Sequence, residues 1–129
     1  MSIKRWPVEF YADARGRPPA YEFIESLPPG EHAAALRALD LLARYGPRLG
    51  MPHARHIEGP LWELRAGPGR LFYFLYLGEL RACESQLGKG DSQALKRFII
   101  LHAYRKRTPK APRREIETAI RRMNDILER

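Results

Sequence analysis

The sequence predicts an α+β domain in which a small antiparallel sheet carries two N-terminal helices and one C-terminal helix. Before residue 46 and after residue 112, apolar residues recur every three to four positions, the period of an amphipathic helix. Between these segments, runs with a period of two or continuous apolar runs are separated by turn residues, as in strands. The 129 residues are enough for one core, and we expect a single domain spanning 1–129.

The N-terminal part predicts a strand followed by two short helices. Residues 6–11 alternate apolar with other side chains, and a proline near their start favours an edge position. Pro18-Pro19 begins a first helix, since proline lacks an N–H that the first helical turn would not use, and Pro28-Pro29-Gly30 ends it. A second helix is predicted from about Glu31 to Tyr45, where Gly46-Pro47 stops it. Its apolar stripe consists of Ala35, Leu36, Leu39, Leu42 and Ala43.

The middle of the chain predicts the sheet. From His53 onward the period changes to two, and Leu61 to Ala66 leads into Gly67-Pro68-Gly69, a tight hairpin signal. Arg70 to Leu77 is apolar on both faces, which indicates a central strand, and Phe98 to Ala103 is a similar strand. The aromatic residues of these strands are interpreted as core. The polar segment 78–95 between them is interpreted as a flexible loop or an extended hairpin tip.

Positive charge is concentrated at the C-terminal end. The chain has a net charge of +8, and residues 96–129 carry 11 Lys or Arg against 4 Asp or Glu, a balance of +7. Pro112 to Leu127 predicts a helix with an apolar stripe and with arginines away from that stripe. Such an asymmetry gives the folded domain one positive face, for which a phosphate backbone is the commonest partner. Nucleic acid or an acidic protein is therefore the first hypothesis.

Other partners and compartments are disfavoured. No apolar run approaches the roughly 20 residues that span a bilayer, so we expect no membrane association. The first residues lack the apolar stretch of a secretory signal, which predicts a cytoplasmic protein. Cys83 has no second cysteine to pair with, and the four histidines show no zinc-ligand spacing. We expect no metal and no cofactor, and no catalytic role for Cys83.

Four short segments, taken together, resemble a known family. They occur in the order Leu49 to His53, Leu61 to Arg65, Arg70 to Phe74 and Tyr104 to Pro112. With this order and spacing the chain resembles the RelE/HigB superfamily of toxins, and more closely its phage-derived HigB-like branch, over roughly residues 6 to 127. The resemblance implies a RelE-like fold and a type II toxin-antitoxin toxin. Such toxins typically cleave mRNA on the ribosome as mRNA interferases, and a small antitoxin, often a helix-turn-helix protein, neutralises them.

Cleaving RNA without a metal requires a deprotonated 2′-hydroxyl, neutralised charge on the phosphorane, and a proton for the leaving 5′-oxygen. Arg65, at the end of a predicted strand, suits the second task because its planar guanidinium grips two phosphate oxygens at once. It also matches the catalytic arginine of the family that the chain resembles. The expected catalytic residues are Arg65, Lys106, Arg105 and Tyr104. The expected RNA-binding residues are Arg107, Lys110, Arg113, Arg114 and Arg55.

Alternation along the last strand predicts that His102, Tyr104 and Lys106 share one face and that Arg105 and Arg107 lie on the other. Clustered cations are expected to lower the pKa of the histidine, the tyrosine or a lysine, which would supply a base or an acid near neutral pH. His102 itself is better interpreted as a partly buried strand residue than as a catalyst.

Two alternative functions stay open. A ParE-like toxin on the same fold would poison DNA gyrase and would not need Arg65 or Lys106 for chemistry. A non-catalytic nucleic-acid or protein-binding module is the other alternative. It is favoured because Ala111-Pro112-Arg113 stands where many RelE members have a C-terminal tyrosine.

Overall fold

The computed structural model describes residues 5–78 and 96–129. The predicted loop 78–95 lies outside this range except for its first residue, and so does Cys83. The elements are β1 (Val8–Phe10), α1 (Pro19–Glu25), α2 (Pro29–Tyr45), a 3-10 turn (Gly46–Arg48), β2 (Ala54–Glu58), β3 (Leu61–Ala66), β4 (Gly69–Tyr76), β5 (Arg97–Arg105) and α3 (Arg113–Leu127). The predicted α+β class, with two N-terminal helices and one C-terminal helix, is confirmed.

The sheet has the strand order β1-β5-β4-β3-β2. The pairs β2–β3, β3–β4 and β4–β5 are antiparallel, as predicted. β1 instead runs parallel to β5, with Val8 opposite Phe98, so the sheet is mixed. The intervening chain supplies the long crossover that a parallel pair needs. A strand of three residues carries no sequence signal for its direction, which is why the pattern did not reveal this pairing.

Helices cover both faces of the sheet. On one face α1 and α2 pack through residues such as Ile24 and Leu42 against strand residues that include Tyr73 and Ile100. On the other face Met123 and its neighbours in α3 pack against a second set of strand residues. That set includes Phe72, Phe74 and Leu101. The interpretation of the β4 aromatics as core is confirmed for Phe72, Tyr73 and Phe74, all of which are buried. Each side chain of this size stabilises the fold by roughly 1.5–3 kcal/mol when fully buried.

Gly46 explains why α2 ends where the sequence predicts. Its φ is +55°, a left-handed conformation that side chains disfavour. A Cβ at this position would lie 2.4 Å from Nε1 of Trp6. The Trp6 backbone N–H also donates to the carbonyl of Ala43. Glycine therefore both ends the helix and leaves room for the tryptophan that anchors the N-terminal segment.

Among the described residues, no helix combines the length and the apolar character that crossing a membrane requires.

Candidate nucleic-acid interface

The candidate site lies on the α3 face of the sheet, beside the hairpin that joins β3 to β4. Gly67 and Pro68 form the two-residue turn that pairs Ala66 with Gly69. This register places Arg65 opposite Arg70, and Arg70 in turn is opposite Tyr104 of β5. The turn therefore brings two predicted site residues into one row across three strands.

A β-bulge turns the end of β5 toward this face. Phe72 pairs with His102 and Tyr73 pairs with Ile100, so Leu101 is the extra residue. The side chain of Ile100 faces α1 and α2. With strict alternation, the side chains of residues 102 and 104 would face α1 and α2 as well. The extra residue reverses that alternation. As a result, the side chains of His102 and Tyr104 stack with Phe72 on the α3 face.

Glu63 is the buried carboxylate at the centre of the site. Its exposed fraction is 1%, although it stands in an otherwise apolar stretch of β3. Its Oε1 lies 3.4 Å from Nη2 of Arg55 and 3.8 Å from Nε of Arg70. Its Oε2 accepts a hydrogen bond of 3.2 Å from the hydroxyl of Tyr104. A buried carboxylate needs paired cations and hydrogen bonds, and these three residues provide them.

Positive charge nevertheless exceeds negative charge around Glu63. Arg65 and Arg70 are direct cross-strand neighbours, an arrangement that like charges normally disfavour. Lys106 follows β5, and its backbone N–H donates to the carbonyl of Pro68 at the hairpin turn. Burial and the nearby Arg70 lower the pKa of Lys106, with smaller contributions from Arg55 and Arg65. We name these four cations, Arg55, Arg65, Arg70 and Lys106, the cation cluster.

Two donors within the cation cluster have no acceptor. The Nε atoms of Arg55 and Arg70 are buried and lack a hydrogen-bond partner among the described residues. Nη1 of Arg70 donates to the carbonyls of Gly67 and Gly69, at 2.7 and 2.8 Å. Arg70 is thus fixed to the turn, whereas the side chain of Arg65 is exposed at the end of β3. The exposed member of the cluster is the one best placed to meet a ligand.

The ionisation of Tyr104 differs from the expectation. Burial and the adjacent Glu63 raise the pKa of its hydroxyl rather than lowering it. A buried phenol that donates to a carboxylate is not a general base at neutral pH. Of the three pKa values that were expected to fall, that of Tyr104 rises, so this prediction was wrong. The pKa values of His102 and Lys106 are lowered, in the expected direction.

His102 links β5 to α3. Nη1 of Arg122 lies 3.1 Å from Nδ1 of His102, and Nε2 lies 3.0 Å from Oε2 of Glu115. Because arginine only donates, Nδ1 must accept, so Nε2 carries the proton and donates to Glu115. Burial is the largest cause of a lowered pKa for His102, and Arg122 adds to it. The interpretation of His102 as a partly buried strand residue agrees with this bridge.

Acid is expected to weaken the fold through His102. Because its pKa is lowered in the folded state, the unfolded chain takes up the proton first as pH falls below about 6.5. Stability is therefore retained above that pH and lost below it. Urea unfolding at pH 7.5 and 5.5 checks this. His102→Gln keeps a donor and an acceptor and should reduce the loss of stability between pH 7.5 and 5.5. His53→Gln, at an exposed position, is the control and should lose as much stability as the wild type. An equal loss in His102→Gln and the wild type would contradict the assignment.

The structure brings together four of the residues that the sequence singled out: Arg65, Lys106, Tyr104 and Arg55. Arg105 points to the opposite face of the sheet, where it pairs with Glu31 of α2. The alternation of Tyr104 and Arg105 was thus predicted correctly, and it separates Arg105 from the cation cluster.

The remaining predicted RNA-binding residues lie around the start of α3. Arg107 and Arg114 line an open groove of about 590 Å³ that also includes Tyr104, Arg105 and Glu115. Arg113 is held by Glu58 of β2 at 2.7 Å and by Glu117 at 3.5 Å. Lys110 is exposed. Positive charge therefore continues from the cation cluster along the groove toward α3.

Sequence reasoning missed Glu63 and Arg70 as members of the site. A signal for each was present. Glu63 stands two positions before Arg65 and so shares its face of the strand. A two-residue turn at Gly67-Pro68 places Arg70 opposite Arg65.

Comparison with protein families gives a match over most of the chain. The family model described as phage derived protein Gp49-like (DUF891) matches residues 22–124. This range contains β2 to β5 and every member of the cation cluster. No curated protein matches the chain.

Proposed function

The chain belongs to the phage-derived Gp49-like family, and on that premise we propose that it is the toxin of a type II toxin-antitoxin system. Its proposed activity is that of a ribosome-dependent mRNA endoribonuclease resembling the HigB branch of the RelE/HigB toxins. The observation that carries this proposal is the cation cluster, in which Arg55 and Arg70 contact the buried carboxylate of Glu63 while Arg65 and Lys106 add two further charges beside them. The excess of positive charge suits a phosphate and its pentacoordinate transition state.

Arg65 is the proposed phosphate ligand. Its exposed guanidinium can place two parallel donors on two oxygens of a phosphate, a geometry that lysine lacks. Arg70 stands beside it and is fixed by the hairpin turn. A rigid neighbouring charge strengthens the local field without itself having to move during the reaction.

Lys106 is the proposed proton donor to the leaving 5′-oxygen. Its pKa is lowered by partial burial and by its arginine neighbours. A lysine with a lowered pKa gives up its proton more readily than an ordinary lysine does. It can therefore help neutralise the phosphorane and then protonate the leaving group.

Glu63 and Tyr104 are proposed to position the cations rather than to contact RNA. Both are buried, and the hydroxyl of Tyr104 is engaged by Glu63. Glu63 holds Arg55 and Arg70 in place, and these two buried or half-buried arginines lie beside Arg65 and Lys106. Arg107, Lys110, Arg113 and Arg114 extend the positive surface along which the RNA strand would lie.

The proposed partners follow from the same surface. They are mRNA on the ribosome and a cognate antitoxin, most simply a small helix-turn-helix protein, all in the cytoplasm. An acidic, disordered segment of the antitoxin would cover the cation cluster by folding onto it. One positive surface would then serve both RNA binding and neutralisation.

Binding of single-stranded RNA is expected to depend steeply on salt and to involve the cation cluster. Each lost phosphate contact should reduce the slope of log affinity against log salt by about 0.7. We expect that reduction for Arg65→Ala and for Lys106→Ala. Fluorescence anisotropy with a labelled oligonucleotide over a range of salt concentrations measures it. Arg37→Ala, which removes an exposed arginine of α2 from the opposite face, is the matched control. Equal slopes for all three variants would contradict an RNA site at the cluster.

A further inference from the structure

A second concavity lies on the face of the sheet away from the cation cluster. It has a volume of about 210 Å³ and is lined by Pro47, Leu49, Pro60, Trp62, Tyr73, Leu75 and Phe98. Trp62, Tyr73 and Phe98 come from three adjacent strands, since Trp62 pairs with Tyr73 and Leu75 pairs with Phe98. Because α2 ends at Tyr45, the cavity wall at this end of the sheet includes Pro47 and Leu49 of the segment that follows the helix.

The lining side chains are apolar except for the hydroxyl of Tyr73 and the indole N–H of Trp62. Tyr73 has an exposed fraction of 4%, and burial raises its pKa to about 12. Its ring packs edge-on against Phe98, and its hydroxyl makes no hydrogen bond to the residues that the structure describes. The hydroxyl is not among the fully buried atoms that lack a partner, so it is accessible from the cavity that Tyr73 lines. It can therefore form a hydrogen bond with a ligand there.

The volume suits a small aromatic molecule. An apolar cavity of about 150 Å³ is large enough to bind benzene. The cavity in this chain is larger, at about 210 Å³, and can hold one ring with a substituent. None of its lining residues is charged, which excludes an ion as its ligand because a buried charge needs a partner.

We propose that this cavity is a binding site for a neutral, single-ring aromatic molecule with one hydroxyl group, which hydrogen-bonds to Tyr73. The ring contacts Trp62, Leu75 and Phe98, and the ligand hydroxyl reaches the tyrosine. The proposal does not depend on the nuclease function, because the site lies on the other face of the sheet and shares no residue with the cation cluster.

The test uses p-cresol and toluene, which differ by the hydroxyl alone, as probes of the whole chain. The indole N–H resonances of Trp62 and Trp6 are followed by NMR during titration, and a Trp6→Phe variant assigns them. We expect a saturable shift of the Trp62 resonance, larger than that of Trp6. We expect p-cresol to bind roughly fivefold tighter than toluene, which is the effect of one neutral hydrogen bond.

Three variants make the test specific. Tyr73→Phe removes only the hydroxyl and should abolish the preference for p-cresol while keeping toluene binding. Tyr76→Phe, whose ring packs against Phe74 on the other face, should keep the preference. Leu75→Phe should narrow the cavity, weaken the binding of both ligands and preserve the melting temperature. Absence of a saturable shift, or a preference that survives in Tyr73→Phe, would overturn the proposal.

Discussion

Replacing Glu63 by alanine is expected to lower the free energy of unfolding by about 3–5 kcal/mol, because it leaves the largely buried Arg70 without its counter-charge. The Glu63 carboxylate, 1% exposed, faces Arg55 and Arg70 and accepts from Tyr104. Removing the carboxylate also leaves the Tyr104 hydroxyl without its acceptor, which adds an unsatisfied donor. Urea unfolding at neutral pH, followed by tryptophan fluorescence, measures the change.

Two further variants separate charge from packing. Glu63→Gln keeps the side-chain volume and one acceptor for Tyr104 but removes the charge. Its free energy of unfolding should therefore lie between those of the wild type and Glu63→Ala. Glu117→Ala removes an exposed carboxylate that also pairs with an arginine, Arg113. Its cost should stay below about 1 kcal/mol, as is usual for a surface ion pair. A similarly small cost for Glu63→Ala would refute its role as the centre of the site.

Arg65→Ala is expected to slow messenger cleavage by a factor of about 10²–10³, the loss typical when one group that stabilises a transition state is removed. The side chain is exposed, so the fold should be retained and the loss should appear in the rate of cleavage. Arg65→Lys keeps the charge and loses the two-pronged guanidinium, so it should recover only part of the rate. The measurement is single-turnover cleavage of a defined messenger on programmed ribosomes.

The control for this experiment is Arg37→Ala, another exposed arginine, on α2. It should cleave at the wild-type rate. Equal cleavage rates for Arg65→Ala and Arg37→Ala would show that Arg65 takes no part in cleavage. A wild-type rate for Arg65→Lys would show that a positive charge at this position is enough and that the guanidinium geometry is not needed.

Local sequence signals predicted the elements because each was specified by neighbouring residues. Gly46-Pro47 ends α2 at Tyr45, and Gly67-Pro68 forms the turn of the β3–β4 hairpin. The direction of β1 depends instead on a pairing with Phe98 to Ile100, some ninety residues away. Such a contact is decided by tertiary packing, and a three-residue strand contains too few side chains to specify it.

The sequence predicted part of the candidate site, namely Arg55, Arg65, Tyr104 and Lys106. Arg65 and Lys106 were identified from their charge and from the resemblance. Glu63 was not, because a single carboxylate in a strand looks like a solvent-facing residue until its burial beside Arg55, Arg70 and Tyr104 is known. The bulge at Leu101 was not visible either. It is that bulge which turns Tyr104 from the α1 and α2 side toward Glu63.

The central proposal is that this chain cleaves messenger RNA through its cation cluster. The most direct test is to induce the wild type and Arg65→Ala in parallel in a bacterial host and to follow growth together with the integrity of mapped messengers. The proposal predicts that the wild type arrests growth with messengers cut inside codons and that Arg65→Ala does neither. Arrest by both proteins with intact messengers would contradict it and would favour gyrase poisoning. Absence of arrest by either would favour a non-catalytic binding module.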